Sequence, residues 1–182
     1  MNTSVRLATA LLGLLAFLVS PLPASQYNQR LANLSTRAQV GTGANVMITG
    51  FVVQEGAPKR VLIRAVGARL ATAPFSLPGV LADPQVQLFN SEGVLVLAND
   101  NWASADLATM NSVGAFALAN GSRDAALVAS LSPGAYTAQV SGVNNATGVA
   151  ILEIYDVTGS ARLMNLSTRA FVGTGNNGFF SG

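Results

Sequence analysis

Three kinds of residue in this chain have the types and spacing that chemistry asks for. The first is the set of acids: Glu55, Asp83, Glu92, Asp100, Asp106, Asp124, Glu153 and Asp156. A glycosidase needs two carboxyl groups facing each other across a cleft. These eight are scattered singly, and each reads as lying beside a turn or on the polar side of a strand. The second is Asn99-Asp100-Asn101, which with Asp83, Asp106 or Asp124 is the best metal candidate. Ca²⁺ takes about six to eight oxygens from carboxylates, amides and backbone carbonyls, which such a loop can supply. Against this stands an Asx turn, in which Asn and Asp side chains bond their own backbone. The turn is favoured, because the cluster itself holds one carboxylate. The third is Trp102 beside it, a platform for sugar rings if exposed and a core residue if not.

Other motifs lose their chemistry on inspection. Gly41-Thr42-Gly43 and Gly173-Thr174-Gly175 look like phosphate loops, but no Gly-Lys-Ser/Thr follows and no helix starts there, so they read as turns. Ser35 and Thr36 have no histidine to activate them, since the chain contains none. Lys59 is the only lysine and sits in no recognisable Ser-Lys motif. The polar edge of a strand accounts for these hydroxyls better. Cysteine is absent too, which excludes disulfides and thiolate chemistry. Net charge is +2 with no Lys/Arg run, so no nucleic-acid partner is expected. Arg64 interrupts the apolar run Val61-Leu-Ile-Arg-Ala-Val66 and needs a carboxylate partner, because an unpaired buried charge is costly. Arg37 and Arg169 also fall within predicted strands. Asn33, Asn120, Asn145 and Asn165 head glycosylation sequons, to which no role is given. The chain is read as non-catalytic.

The elements that must position these residues are strands. Residues 32–40 alternate, with Ala32, Leu34, Thr36, Ala38 and Val40 on one side and Asn33, Ser35, Arg37 and Gln39 on the other. Residues 46–53 are apolar on both faces and predict a more central strand. Further strands are predicted over 60–66, 85–89, 94–97, 125–131, 135–140 and 148–157, with Gly, Pro and Asn turns between them. Ser104 to Asn111 predicts one or two helical turns capped by Ser104. About eight strands at a spacing of roughly ten residues argue for an antiparallel β-sandwich.

Two features lie outside that domain pattern. Met1 to Ser25 has a positive Arg6, an apolar run over Leu7–Val19 and a Pro- and Ala-containing end. This is the layout of a Sec-type signal peptide cleaved near Ala24 or Ser25, so the mature protein is expected outside the cytoplasm and free of the membrane. The second feature is a repeat: residues 30–50 return as 162–182, identical at 14 of 21 positions at an offset of 132. The chain therefore divides into a signal peptide over 1–25, a unit over 26–161 and the truncated start of a second unit over 162–182, a partial strand or hairpin.

Certain stretches resemble known families. Asp83-Pro-Gln-Val-Gln-Leu-Phe-Asn-Ser-Glu-Gly93, Asn99-Asp-Asn-Trp102, Leu131-Ser-Pro-Gly-Ala-Tyr-Thr-Ala-Gln-Val-Ser-Gly142 and Ala150-Ile-Leu-Glu-Ile-Tyr-Asp-Val157 are similar to bacterial pre-peptidase C-terminal (PPC) modules. Nearly the whole mature chain, with Asn33-Leu-Ser-Thr-Arg37, Val40-Gly-Thr-Gly43 and Val61-Leu-Ile-Arg-Ala-Val-Gly67, resembles a repeat unit of large exported proteins of environmental bacteria such as Verrucomicrobia. The resemblance implies a secreted, jelly-roll-like β-sandwich with no catalytic set to transfer. Its expected work is structural, adhesive or surface display, with carbohydrate or Ca²⁺ binding at Asn99–Trp102 as the alternative. Because the strands at 31–40 and 163–172 are near-equivalent, a slot that accepts one is expected to accept the other. The partners would be neighbouring units or other copies, joined by β-strand addition.

Overall fold

The computed structural model describes residues 31–158, 161–172 and 180–181. The signal-peptide reading, the link at 159–160 and the turn Gly173-Thr174-Gly175 lie outside them. Eight strands make the body: β1 (Asn33–Val40), β2 (Met47–Val53), β3 (Lys59–Val66), β4 (Pro84–Asn90), β5 (Leu95–Asn99), β6 (Ala125–Leu131), β7 (Gly134–Gly142) and β8 (Gly148–Thr158). A helix, α1 (Leu107–Ser112), lies between β5 and β6. The second copy of the repeat adds β9 (Leu163–Arg169) and β10 (Phe180–Ser181).

All ladders are antiparallel, and the body pairs in a nested way: β1 with β8, β2 with β7, β3 with β6 and β4 with β5. Sheet A runs β10-β1-β8-β3-β6 and sheet B runs β5-β4-β7-β2-β9. Nested pairing over two facing sheets is the jelly-roll arrangement. The predicted all-β, jelly-roll-like sandwich is the fold of the chain.

The alternation in each strand now has a physical cause. Ala38 and Val40 of β1, Met47, Phe51 and Val53 of β2, and Val61, Ile63 and Ala65 of β3 interdigitate between the sheets with Leu152 and Ile154 of β8. Burying each of the Val, Met, Phe, Ile and Leu side chains contributes about 1.5–3 kcal/mol, and each alanine less. β3 reads as apolar on both faces because sheet A is covered on both. Its outward residues Leu62 and Val66 pack under Leu70, Met110, Ala115 and Leu118 from the loops and α1.

Two local expectations change. Ser104 does not cap the helix; Ser104–Asp106 is a 3₁₀ turn and α1 begins at Leu107, with no side-chain cap bond at either. Six residues are too few to be stable alone, and α1 is held instead by its buried Met110. Thr36 belongs to the inner face and is fully buried, so its hydroxyl is not part of a polar outer edge. The second copy supplies the expected partial strand: among the described residues β9 joins β2 in sheet B and β10 joins β1 in sheet A, so the two bridge the edge of both sheets as an arch.

Candidate functional site

The densest polar chemistry lies on the outer face of sheet A. Arg64 sits opposite Glu153 in the β3–β8 ladder, and both point away from the inter-sheet core. Arg64 is fully buried and Glu153 is 4 % exposed. Arg64 Nε donates to Glu153 Oε2 at 2.8 Å, and Nη1 donates to the carbonyl of Phe116 at 2.7 Å. The guanidinium lies 4.4 Å from the centroid of the Phe116 ring, a geometry that favours a cation. Tyr155 donates its hydroxyl to Glu153 Oε1 at 3.1 Å. Burial first, and then the Glu153 charge beside it, push the Tyr155 phenol up to about 12. Arg64 thus has the carboxylate partner that its place in an apolar run demands. Every donor and acceptor named here is used inside the fold, beneath residues 110–116, so the set acts as a clamp between sheet A and its cover.

Glu153 corrects its reading as a residue on a strand's polar side, because the face it occupies is covered and buried, whereas Asp124 does follow a turn. Asp124 is fully buried. Its Oδ1 accepts from the Gly67 amide at 2.8 Å, and its Oδ2 accepts from the Arg69 amide at 3.1 Å and the Ser122 hydroxyl at 2.8 Å. It organises the loop after β3 by satisfying backbone donors. The sequence did hold a signal for Glu153: it is the one acid enclosed by apolar neighbours in Val149-Ala-Ile-Leu-Glu-Ile-Tyr155. Lys59 is likewise buried, with Nζ 2.5 Å from Asp156 Oδ1.

The Asn99-Asp100-Asn101 stretch lies at the end of β5. Asn99 Nδ2 donates to the Asn101 carbonyl at 2.9 Å, and Asn99 Oδ1 accepts from the Ala126 amide at 3.0 Å. Its amide thus ties the end of β5 to the backbone two residues on and to β6. Asp100 and Asn101 are exposed. Asp83 is drawn away to Arg123 at 2.8 Å, Asp124 is spent as described, and Asp106 lies at the start of α1. Among the described residues no group of three His, Cys, Asp or Glu is gathered in metal-binding range. Trp102 is half-buried against the cluster under α1, and its Nε1 donates to Ser122 Oγ at 3.1 Å. It serves the core beneath the loop.

Two surfaces were not singled out by sequence. The outer face of sheet B carries half-buried Gln87 and Gln139 in register, with Phe89 facing Thr137 next to them. An open groove of about 470 Å³ runs there along Phe89, Asn90, Thr137 and Gln139. At the far edge of the same sheet, Val94, Leu95, Val96 and Leu97 are 55, 48, 41 and 40 % exposed. The expected return strand is present, but its apolar side chains face solvent along an edge unpaired among the described residues.

The opposite edge is closed by the second copy of the repeat. Thr168 Oγ1 lies 2.9 Å from Thr49 Oγ1, and Thr36 Oγ1 is 3.5 Å from Thr168 Oγ1. Leu163 is buried and joins the core. Among the described residues no helix is long and apolar enough to cross a membrane. No protein-family model matches the chain and no curated protein matches it.

Proposed function

We propose that the chain is an exported, non-catalytic β-sandwich module of a repeat protein, with a structural, adhesive or surface-display role carried out by its sheet edges. The observation that carries the reading is the arch of 162–182: the chain uses a second copy of its own opening stretch as the edge strand of both sheets. Main-chain pairing at open sheet edges is a general mode of assembly. The layout of residues 1–25 supports export, and the likeness to exported bacterial repeat units supports the setting.

The test is expression of the whole chain in a bacterial host, followed by fractionation and mass spectrometry. The expected product is extracytoplasmic and begins near Ser25 or Gln26. Cytoplasmic retention of the uncleaved chain would overturn export. Turnover of generic ester, glycoside or peptide substrates, lost on substitution of a single named side chain, would overturn the non-catalytic reading.

A second reading is carbohydrate binding, favoured by the amide-lined groove on sheet B. Neutral amides and an adjacent ring suit sugar hydroxyls and their apolar faces. A glycan array checks it: binding abolished by Gln139→Ala would establish this reading, and silence across the array would remove it. Calorimetry with Ca²⁺ decides the metal variant at Asn99, Asp100 and Asn101.

A further inference from the structure

The repeat offset of 132 lets each residue of the second copy be written as its counterpart in the first. On one side of the edge, Thr36 pairs with Ser181 and Arg37 with Phe180. Ser181 is the counterpart of Thr49, and Phe180 of Ile48. On the other side, Thr49 pairs with Thr168 and Ile48 with Arg169, the counterparts of Thr36 and Arg37. The same two pairings therefore occur twice, once with each copy supplying each member. Gln39 forms an antiparallel bridge with Phe171, its own counterpart, and the Thr36 hydroxyl approaches that of Thr168, again its own counterpart. Residues that meet their own counterparts mark a two-fold axis, and reciprocal pairs around it define an isologous contact.

We infer that the edge formed by β1 and β2 is a self-recognition surface. Its ligand is the 32–50 arch of a second copy of this chain, docked about that axis, and 162–182 fills the surface because it repeats the arch. The inference rests on the edge-assembly reading above and gives it a partner and a geometry. Recognition is main-chain pairing plus the buried hydroxyls of Thr36 and Thr49. Between 31–40 and 163–172 only Ala32/Met164 and Gln39/Phe171 differ, so the second copy brings nearly the same side chains.

The free edges agree with this geometry. Among the described residues β9 is unpaired on the side away from β2, and β10 on the side away from β1. In the body, those sides of β1 and β2 are taken by β8 and β7. A second copy would fill both, giving sheets that run β6-β3-β8-β1 and continue into the partner as β2-β7-β4-β5. An isologous contact closes at two copies, whereas head-to-tail strand exchange would build an open filament.

The chain has no cysteine, so introduced thiols report without ambiguity. Two prolines, Ser167→Pro and Thr168→Pro in the full chain, loosen β9. Successive amides point to opposite sides of a strand, so one substitution must remove a donor facing β2. The expected result is a doubled mass by light scattering. With Gln39→Cys added and diamide as oxidant, a disulfide should also join the introduced thiols of two chains. A folded monomer at high concentration would overturn the inference. A second comparison uses a gentler loosening, Leu163→Ala, which removes a core anchor of β9 and keeps its main chain whole: Gln39→Cys against Gln54→Cys in that background. Gln54 is exposed and Gln39 is half-buried, so random collision favours position 54. Docking about the axis instead makes position 39 cross-link about tenfold faster, through high effective concentration. Equal rates, or faster cross-linking at position 54, would sink the inference even if the proline variant did not fold. Both readouts use purified protein, so a failure of export leaves them intact, and their failure leaves export standing.

Discussion

Arg64 and Glu153 are held where neither can be lost alone. Arg64→Met leaves the Glu153 carboxylate beneath the loop cover with the Tyr155 hydroxyl, and breaking a buried pair in this way costs about 3–5 kcal/mol. The double variant Arg64→Met/Glu153→Leu should recover most of that loss, since apolar replacement of a buried pair is often neutral. Urea unfolding of the four proteins of this cycle measures both. Tyr155 gives a second prediction. Its phenol ionises near 12 in the folded chain against a usual value of 10. The unfolded chain therefore releases the proton first as pH rises. The stability held by the neutral phenol is complete below pH 10 and lost between 10 and 12, which ultraviolet titration beside alkaline unfolding will follow. Sequence made the need of Arg64 legible, because a charge inside Val61–Val66 must be paired. It did not name Glu153, since the pairing depends on the β3–β8 register, and nothing local sets that register. Asp124 escaped for a related reason: the amides it satisfies, at Gly67 and Arg69, lie more than 50 residues away in the chain.

Strands were legible at the level of elements because period-two burial leaves a direct mark on composition. The faces were less so. β5 reads as an ordinary return strand from Val94 to Leu97, and nothing in those residues says that they end up at an open edge. A lysine there should do what natural edge strands do. Val96→Lys is expected to lower self-association at high concentration while changing stability by no more than about 0.5 kcal/mol. Sedimentation and thermal melts check the two halves. The corner between β7 and β8 makes the opposite prediction. Gly148 lies against the backbone of Val80 and Leu81, and that segment is tied to Val149 by amide–carbonyl bonds of 2.8 and 2.9 Å. A methyl group at 148 would push on main chain that cannot rotate away. Gly148→Ala should cost about 1–3 kcal/mol, read as a lowered melting temperature.

For the molecule as a whole, the repeat was the most legible feature of the sequence and its use the least. Copying a strand suggests that both copies want the same slot. β1 and β9 instead lie in different sheets, β9 beside β2 and β1 beside β10. The sandwich is left with two unlike sides. One is closed by the arch of 162–182, with its threonine hydroxyls in contact. The other presents the edges of β5 and β6, with the apolar run of Val94–Leu97 exposed. These sides offer different chemistry: main-chain pairing on one, apolar contact on the other.

The two-fold relation between the arches also bears on inheritance. In a dimer of identical chains, one codon change appears on both sides of the axis, and its effect on affinity is felt twice. Here Thr36 and Thr168 are encoded separately, as are Gln39 and Phe171, so each side of the contact can change alone. Gln39 against Phe171 on the axis is an unequal pair of the kind that separate encoding permits. A strict homodimer can place only a residue against itself there, whereas a gene carrying both halves can drift toward an unequal pair one codon at a time.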